Sequence, residues 1–112
     1  MAYDEGLAAR VRGVLSGESE LSERRMFGGL AFLLGGHMAV GVSGQGGLML
    51  RVDPADTDAL VQVDGVAPME MRGRALTGWL RIAAHCVATD QELASWTSRG
   101  VAFVRTLPPK SP

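Results

Sequence analysis

A chain of 112 residues that is 46% hydrophobic and 21% charged has the size of one domain and is too apolar for an intrinsically disordered segment. Its 11 basic and 12 acidic side chains give a formal net charge of -1, which excludes the basic excess usual in proteins that live on nucleic acid. Cys86 is the one cysteine, so an intrachain disulfide and a CxxC metal or redox pair are excluded as well.

Residues 4–16 are predicted as a helix, with Leu7, Val11, Val14 and Leu15 on one stripe and Arg10 and Arg12 on the other. Asp4 and Glu5 suit its N-terminal dipole and Gly17 is placed to end it. The same acidic pair stands where a secretory signal carries basic residues, and the apolar run around Leu30–Leu34 is too short for a bilayer. A cytoplasmic protein with no membrane partner is expected. Residues 18–23 read as a polar connection.

Eight glycines then fall between Gly28 and Gly47, too many for a helix. Between them lie three strand candidates, Ala31–Leu34, His37–Val42 and Leu48–Val52, joined by a tight Gly35-Gly36 turn and a looser Ser43–Gly47 turn. Asp53-Pro54 is a cap followed by a first helical position, with Ala59, Leu60 and Val63 as the apolar side. After the Asp64-Gly65 turn come two more strand candidates, Met69–Arg72 and Trp79–His85. Thr89-Asp90-Gln91-Glu92 is a capping-box pattern before a last helix, expected to dock through Leu93, Trp96, Phe103, Val104 and Leu107. Gly100 inside that helix implies close packing against a strand, and Pro108-Pro109 ends it. The sum is an α+β domain over residues 1–107, an antiparallel β-sheet with flanking helices in the order α-βββ(β)-α-ββ-α, followed by a flexible tail at 108–112.

Catalytic and cofactor chemistry finds little support. Gly44-Gln45-Gly46-Gly47 lacks dinucleotide-loop spacing and leads into a strand, so hairpin turns explain its glycines. His85 and Cys86 are adjacent and would point to opposite faces of a strand, which disfavours a shared metal ion. Asp53, Asp56, Asp58 and Asp64 miss the calcium-loop spacing. Cys86 lies among alanines and valine, the setting of an inert thiol, and no nucleophile elbow occurs. No cofactor, no metal and no enzymatic activity are expected.

The sheet's second face is more informative. If Leu48, Leu50, Val52, Leu80 and Ile82 face the core, alternation sends Arg51, Trp79 and Arg81 the other way, with Arg72 and Glu70 joining them. Such a face is either a solvated surface with one amphipathic Trp or a binding surface, since Arg and Trp favour interfaces and stack on bases.

Arg24-Arg25-Met26-Phe27-Gly28-Gly29 resembles the N-terminal domain of the TfoX/Sxy family of bacterial competence regulators. Gly36-His37-Met38, the run Leu48–Asp53 and Pro68-Met69 agree with it in order. The ending from Trp96 through Arg105 to Lys110 is similar to short single-domain actinobacterial members. The resemblance implies an α+β fold, and a role as a transcriptional co-activator of DNA-uptake genes alongside a cyclic-AMP receptor protein. It implies no catalytic residues; the family-motif positions are Arg25, Met26, Phe27, Gly28 and Gly29. Larger members carry a second, helical domain, and this sequence reads as a standalone version. The expected partner is a protein, with a transcription factor or a second copy as candidates, and nucleic acid contact weak or indirect. Direct nucleic-acid binding and a small ligand-binding or enzymatic domain are the alternatives.

Overall fold

The apolar stripe near the N-terminus folds as α1 (Glu5–Val14) in the computed structural model, which describes residues 3–26 and 28–110. Asp4 caps it by accepting from the Leu7 amide at 3.0 Å. Leu7, Ala8, Val11 and Leu15 are buried, whereas Val14, expected on the same stripe, is 38% exposed. The buried arc is centred between Val11 and Leu15, and Val14 falls on its edge.

Six strands follow: β1 (Leu21–Met26), β2 (Gly29–Leu34), β3 (His37–Val42), β4 (Leu48–Arg51), β5 (Val66–Met71) and β6 (Arg74–Ile82). Between β4 and β5 a 3₁₀ turn, Pro54–Asp56, runs into the short α2 (Thr57–Leu60). A second 3₁₀ turn, Ala84–Val87, leads to α3 (Asp90–Val104). The strands pair antiparallel in the order β1-β2-β3-β4-β6-β5. The protein is therefore an α+β fold, an antiparallel sheet flanked by helices, in the order α-ββββ-α-ββ-α among the described residues.

Two rows of the sheet carry the main core. Arg25, Leu30, Val42, Leu48, Ile82 and Val66 stand side by side across all six strands, as do Glu23, Phe32, Val40, Leu50, Leu80 and Pro68. Their apolar members pack against Leu7 and Val11 of α1, Leu60 of α2, Val87 of the 3₁₀ turn and Leu93 of α3. Gly100 of α3 is what lets that helix lie so close. A Cβ there would stand 2.5 Å from the Ala39 carbonyl oxygen and 2.9 Å from Leu50 Cδ1, which is the close packing its position implied.

Several sequence expectations need correction. Residues 18–23 are not wholly connection, because β1 begins at Leu21. It is an edge strand, so Ser22, Glu23, Arg24 and Arg25 stay exposed and no apolar alternation marks it. Ala59 and Val63 do not form the inner side of α2; they are exposed, and Thr57 and Leu60 are buried. In a helix of one turn, only the pair three residues apart faces inward, and the Thr57 hydroxyl accepts from the Gly78 amide at 3.0 Å. Strand β6 begins at Arg74, after a tight turn in which Arg72 and Gly73 both take positive φ. It ends at Ile82, so Ala84 and His85 lie in the 3₁₀ turn.

The capping box of α3 is formed. Thr89 Oγ1 accepts from the Glu92 amide at 3.1 Å, and the Glu92 carboxylate accepts from the Thr89 amide at 3.0 Å. Hydrogen bonds from Thr89, the amide first and then the hydroxyl, hold the Glu92 carboxyl below its usual pKa. The anchors are Leu93, Thr97, Gly100 and Val104, while Trp96, Phe103 and Leu107 are half-buried beside them. After α3, the Lys110 amide donates to the Gly35 carbonyl at 2.9 Å and His37 Nε2 meets the Pro108 carbonyl at 2.7 Å. Residues 108–110 thus lie along the β2–β3 turn; Ser111 and Pro112 are outside the described residues. No helix among the described residues is long and apolar enough to cross a membrane.

Candidate functional site

Strand alternation turns every other row of the sheet away from the helices. One such row also crosses all six strands: Arg24, Ala31, Gly41, Met49, Arg81 and Ala67. Beside it stand the pairs Leu33–Met38 and Arg51–Trp79. Ala31, Leu33, Met38 and Met49 make a second buried cluster, and Met26, Met69 and Trp79 pack over it half-buried. Every helix among the described residues contributes to the core around Phe32 and Leu50, and none to this cluster. The result is a helix-free sheet face with a methionine-rich floor.

Local packing fixes its shape. A Cβ on Gly41 would stand 2.7 Å from Met38 Cε and 2.9 Å from Met49 Cε. The glycine therefore makes the space that the two thioether chains fold into. The Arg51 guanidinium lies 5.1 Å from the Trp79 ring centroid and 5.4 Å from that of Phe103 of α3, a double cation–π arrangement at the edge of the face, the one place where a helix side chain reaches it among these contacts. Arg81 donates to the Gln45 side chain, which reaches over from the β3–β4 turn. Arg24 stands exposed at the opposite end of the row, on β1.

Of the residues singled out in the sequence, Arg51, Trp79 and Arg81 are brought together on this face. Arg72 is not with them. It occupies the β5–β6 turn at a φ of 55°, beyond the part of β6 that pairs with β4. The motif positions fall at the β1–β2 turn. Arg25 points to the helix side on an edge strand, Met26 joins the methionine floor, and Gly28 turns the chain at a φ of 74°. Gly29 sits where a Cβ would meet the Val42 carbonyl oxygen at 2.0 Å; Phe27 lies outside the described residues.

Sequence reasoning missed Arg24, Met26, Met38 and Met49 as parts of the face. A signal was present. The continuous apolar run of β2 is fully buried, Gly29 through Leu34, and such runs mark strands covered on both sides rather than one. Met49, between Leu48 and Leu50, had to point away from the core by the same alternation that placed Arg51.

Elsewhere, titratable groups gather at Asp64, His85 and Cys86. His85 Nε2 is 3.4 Å from Asp64 Oδ2, and the Cys86 thiol donates to the Asp64 carbonyl at 3.1 Å. Burial, and after it the negative charge of Asp64, push the thiol pKa up. That is the direction opposite to thiolate activation. No three His, Cys, Asp or Glu side chains gather to hold a metal ion among the described residues.

Comparison with known proteins places the chain. Neither the curated proteins nor the solved structures contain a significant match. A family model of the TfoX N-terminal domain, however, matches residues 14–104, from the end of α1 through all six strands to the end of α3. With most of its length matched, and with the motif glycines at the β1–β2 turn, this chain belongs to the TfoX N-terminal domain family.

Proposed function

We propose that this chain is a non-catalytic regulatory domain that works in the cytoplasm by contact with another protein, in the control of transcription. The observation that carries this reading is the helix-free sheet face with Met26, Met69, Trp79, Arg51 and Arg81, in a member of a family associated with competence regulation. Trp, Met and Arg are the side chains enriched at protein interfaces. The partner is a DNA-bound transcription factor, which supplies the specific DNA contact that a chain of net charge -1 is poorly built to make.

Direct DNA recognition by the same arginines is the competing use, and fluorescence anisotropy with labelled duplex at physiological salt separates the two. The protein-contact reading expects non-specific affinity only, weaker than about 10⁻⁶ M. Sequence-selective binding near ~10⁻⁸ M, lost in Arg51→Ala and Arg81→Ala, would assign the face to DNA instead.

A further inference from the structure

We infer that the helix-free face docks an acidic amphipathic helix of a partner protein, and neither a second copy of this chain nor a nucleic-acid strand. The inference rests on the protein-contact reading above and names the chemistry of the partner.

Charge is the first argument. Guanidinium groups on the face among the described residues are Arg24, Arg51 and Arg81, beside the half-buried Met26, Met69 and Trp79 that pack over the buried Leu33, Met38 and Met49. Glu23 belongs to the helix side, where it is held by Arg12 Nε at 2.6 Å. Glu70, expected beside Arg51, Trp79 and Arg81, instead pairs with Ala75 beyond the register shift that follows Pro68, away from the part of β6 that carries Trp79 and Arg81. The row from Arg24 to Ala67 and the Arg51–Trp79 pair thus carry arginines and no carboxylate beside half-buried apolar side chains, and their complement is a stripe of apolar side chains flanked by carboxylates. A two-fold dimer through this face would bring these three arginines to a copy that presents the same three, a like-charge arrangement that opposes association.

The aromatic content argues against single-stranded nucleic acid. Successive bases need successive ring faces to stack on. Trp79 is the one aromatic ring in the cluster among the described residues, Phe103 stands at its edge, and the Arg51 guanidinium already lies 5.1 Å and 5.4 Å from the two centroids. The half-buried side chains beside Trp79 are Met26 and Met69 instead, whose unbranched thioethers adapt to apolar side chains of many shapes.

Size is consistent with a helix. The row from Arg24 to Ala67 crosses six strands, and inter-strand spacings of about 4.8 Å make it about 24 Å long, the length of a helix of about 16 residues. On the opposite face the 15-residue α3 already packs on the same sheet.

The test uses the whole chain and three labelled probes. One is a peptide of about 16 residues with leucine at i, i+3, i+4 and i+7 positions and glutamate on the remaining face. The second replaces glutamate by lysine, and the third is single-stranded DNA of similar length. The glutamate peptide is expected to bind at least about tenfold more tightly than the lysine peptide, with Arg24→Glu and Arg81→Glu each weakening it about tenfold. Arg99→Glu, on α3 beside Trp96, is expected to leave binding unchanged. Arg24 is exposed on an edge strand, so its reversal keeps the test valid if the Arg81→Glu variant fails to fold. Equal binding of the two peptides, tighter binding of the DNA strand, or a wild-type dimer dissociated by Arg81→Glu would each overturn the inference. Any of these without sequence-selective duplex binding removes the helix but leaves protein contact standing after the first and third; selective duplex binding removes both.

Discussion

Gly29→Ala is expected to lower unfolding stability by about 2–3 kcal/mol, more than Gly28→Ala at the neighbouring position. The new Cβ would stand 2.0 Å from the Val42 carbonyl oxygen and 3.1 Å from the Gly44 amide nitrogen. Both are backbone atoms beside the β2–β3 ladder, so neither can swing away as a flexible side chain would. Gly28 differs in kind. Its φ is 74° but a Cβ there meets open space, so alanine costs only the left-handed penalty of about 1–2 kcal/mol. The two motif glycines thus have separate structural duties, one to turn the chain and one to let strands close. Chemical denaturation of the two variants measures the difference. A larger loss for Gly28→Ala would refute the backbone clash.

Phe32→Ala is expected to cost about 3–5 kcal/mol, the larger of the two effects. Phe32 is 0% exposed and lies in the row Glu23, Phe32, Val40, Leu50, Leu80 and Pro68 beneath the helices. Arg12 of α1 spans it, with the guanidinium 5.9 Å from the ring centroid and Nε 2.6 Å from Glu23 Oε2. Losing the ring leaves a cavity under α1 and removes the surface on which Arg12 lies. Trp96→Ala removes a larger side chain yet is expected to cost less, because that ring is half-buried on α3. Denaturation midpoints give the order. A greater loss for Trp96→Ala would move the centre of the core from β2 to α3.

The elements most legible in the sequence are those whose local chemistry is complete in a few residues. The Asp53-Pro54 cap, the Gly35-Gly36 turn and the Thr89–Glu92 capping box each depend on a few adjacent residues, and each forms as read. Strand β1 was illegible because its partner lies on one side only, and Ser22 to Arg25 carry no apolar alternation. The start of β6 was hidden by Gly78, whose positive φ breaks the strand pattern without breaking the strand. Thr97 is fully buried on α3, a burial no polar side chain announces in advance. Half of the candidate site was legible, since alternation from Leu48 and Leu80 placed Arg51, Trp79 and Arg81 together. The methionine floor depended on knowing that the helices among the described residues pack on one side, which is a property of the assembled fold.

The two tryptophans of the chain report on opposite sides of the sheet: Trp79 packs in the helix-free cluster, and Trp96 packs on the helix-covered core. Their indole N–H signals in a proton–nitrogen correlation spectrum therefore test most directly which side is used for contact. Titration with the glutamate peptide is expected to move the Trp79 signal and leave that of Trp96 in place. Movement of Trp96 with Trp79 unchanged would contradict the assignment of the helix-free face as the contact surface.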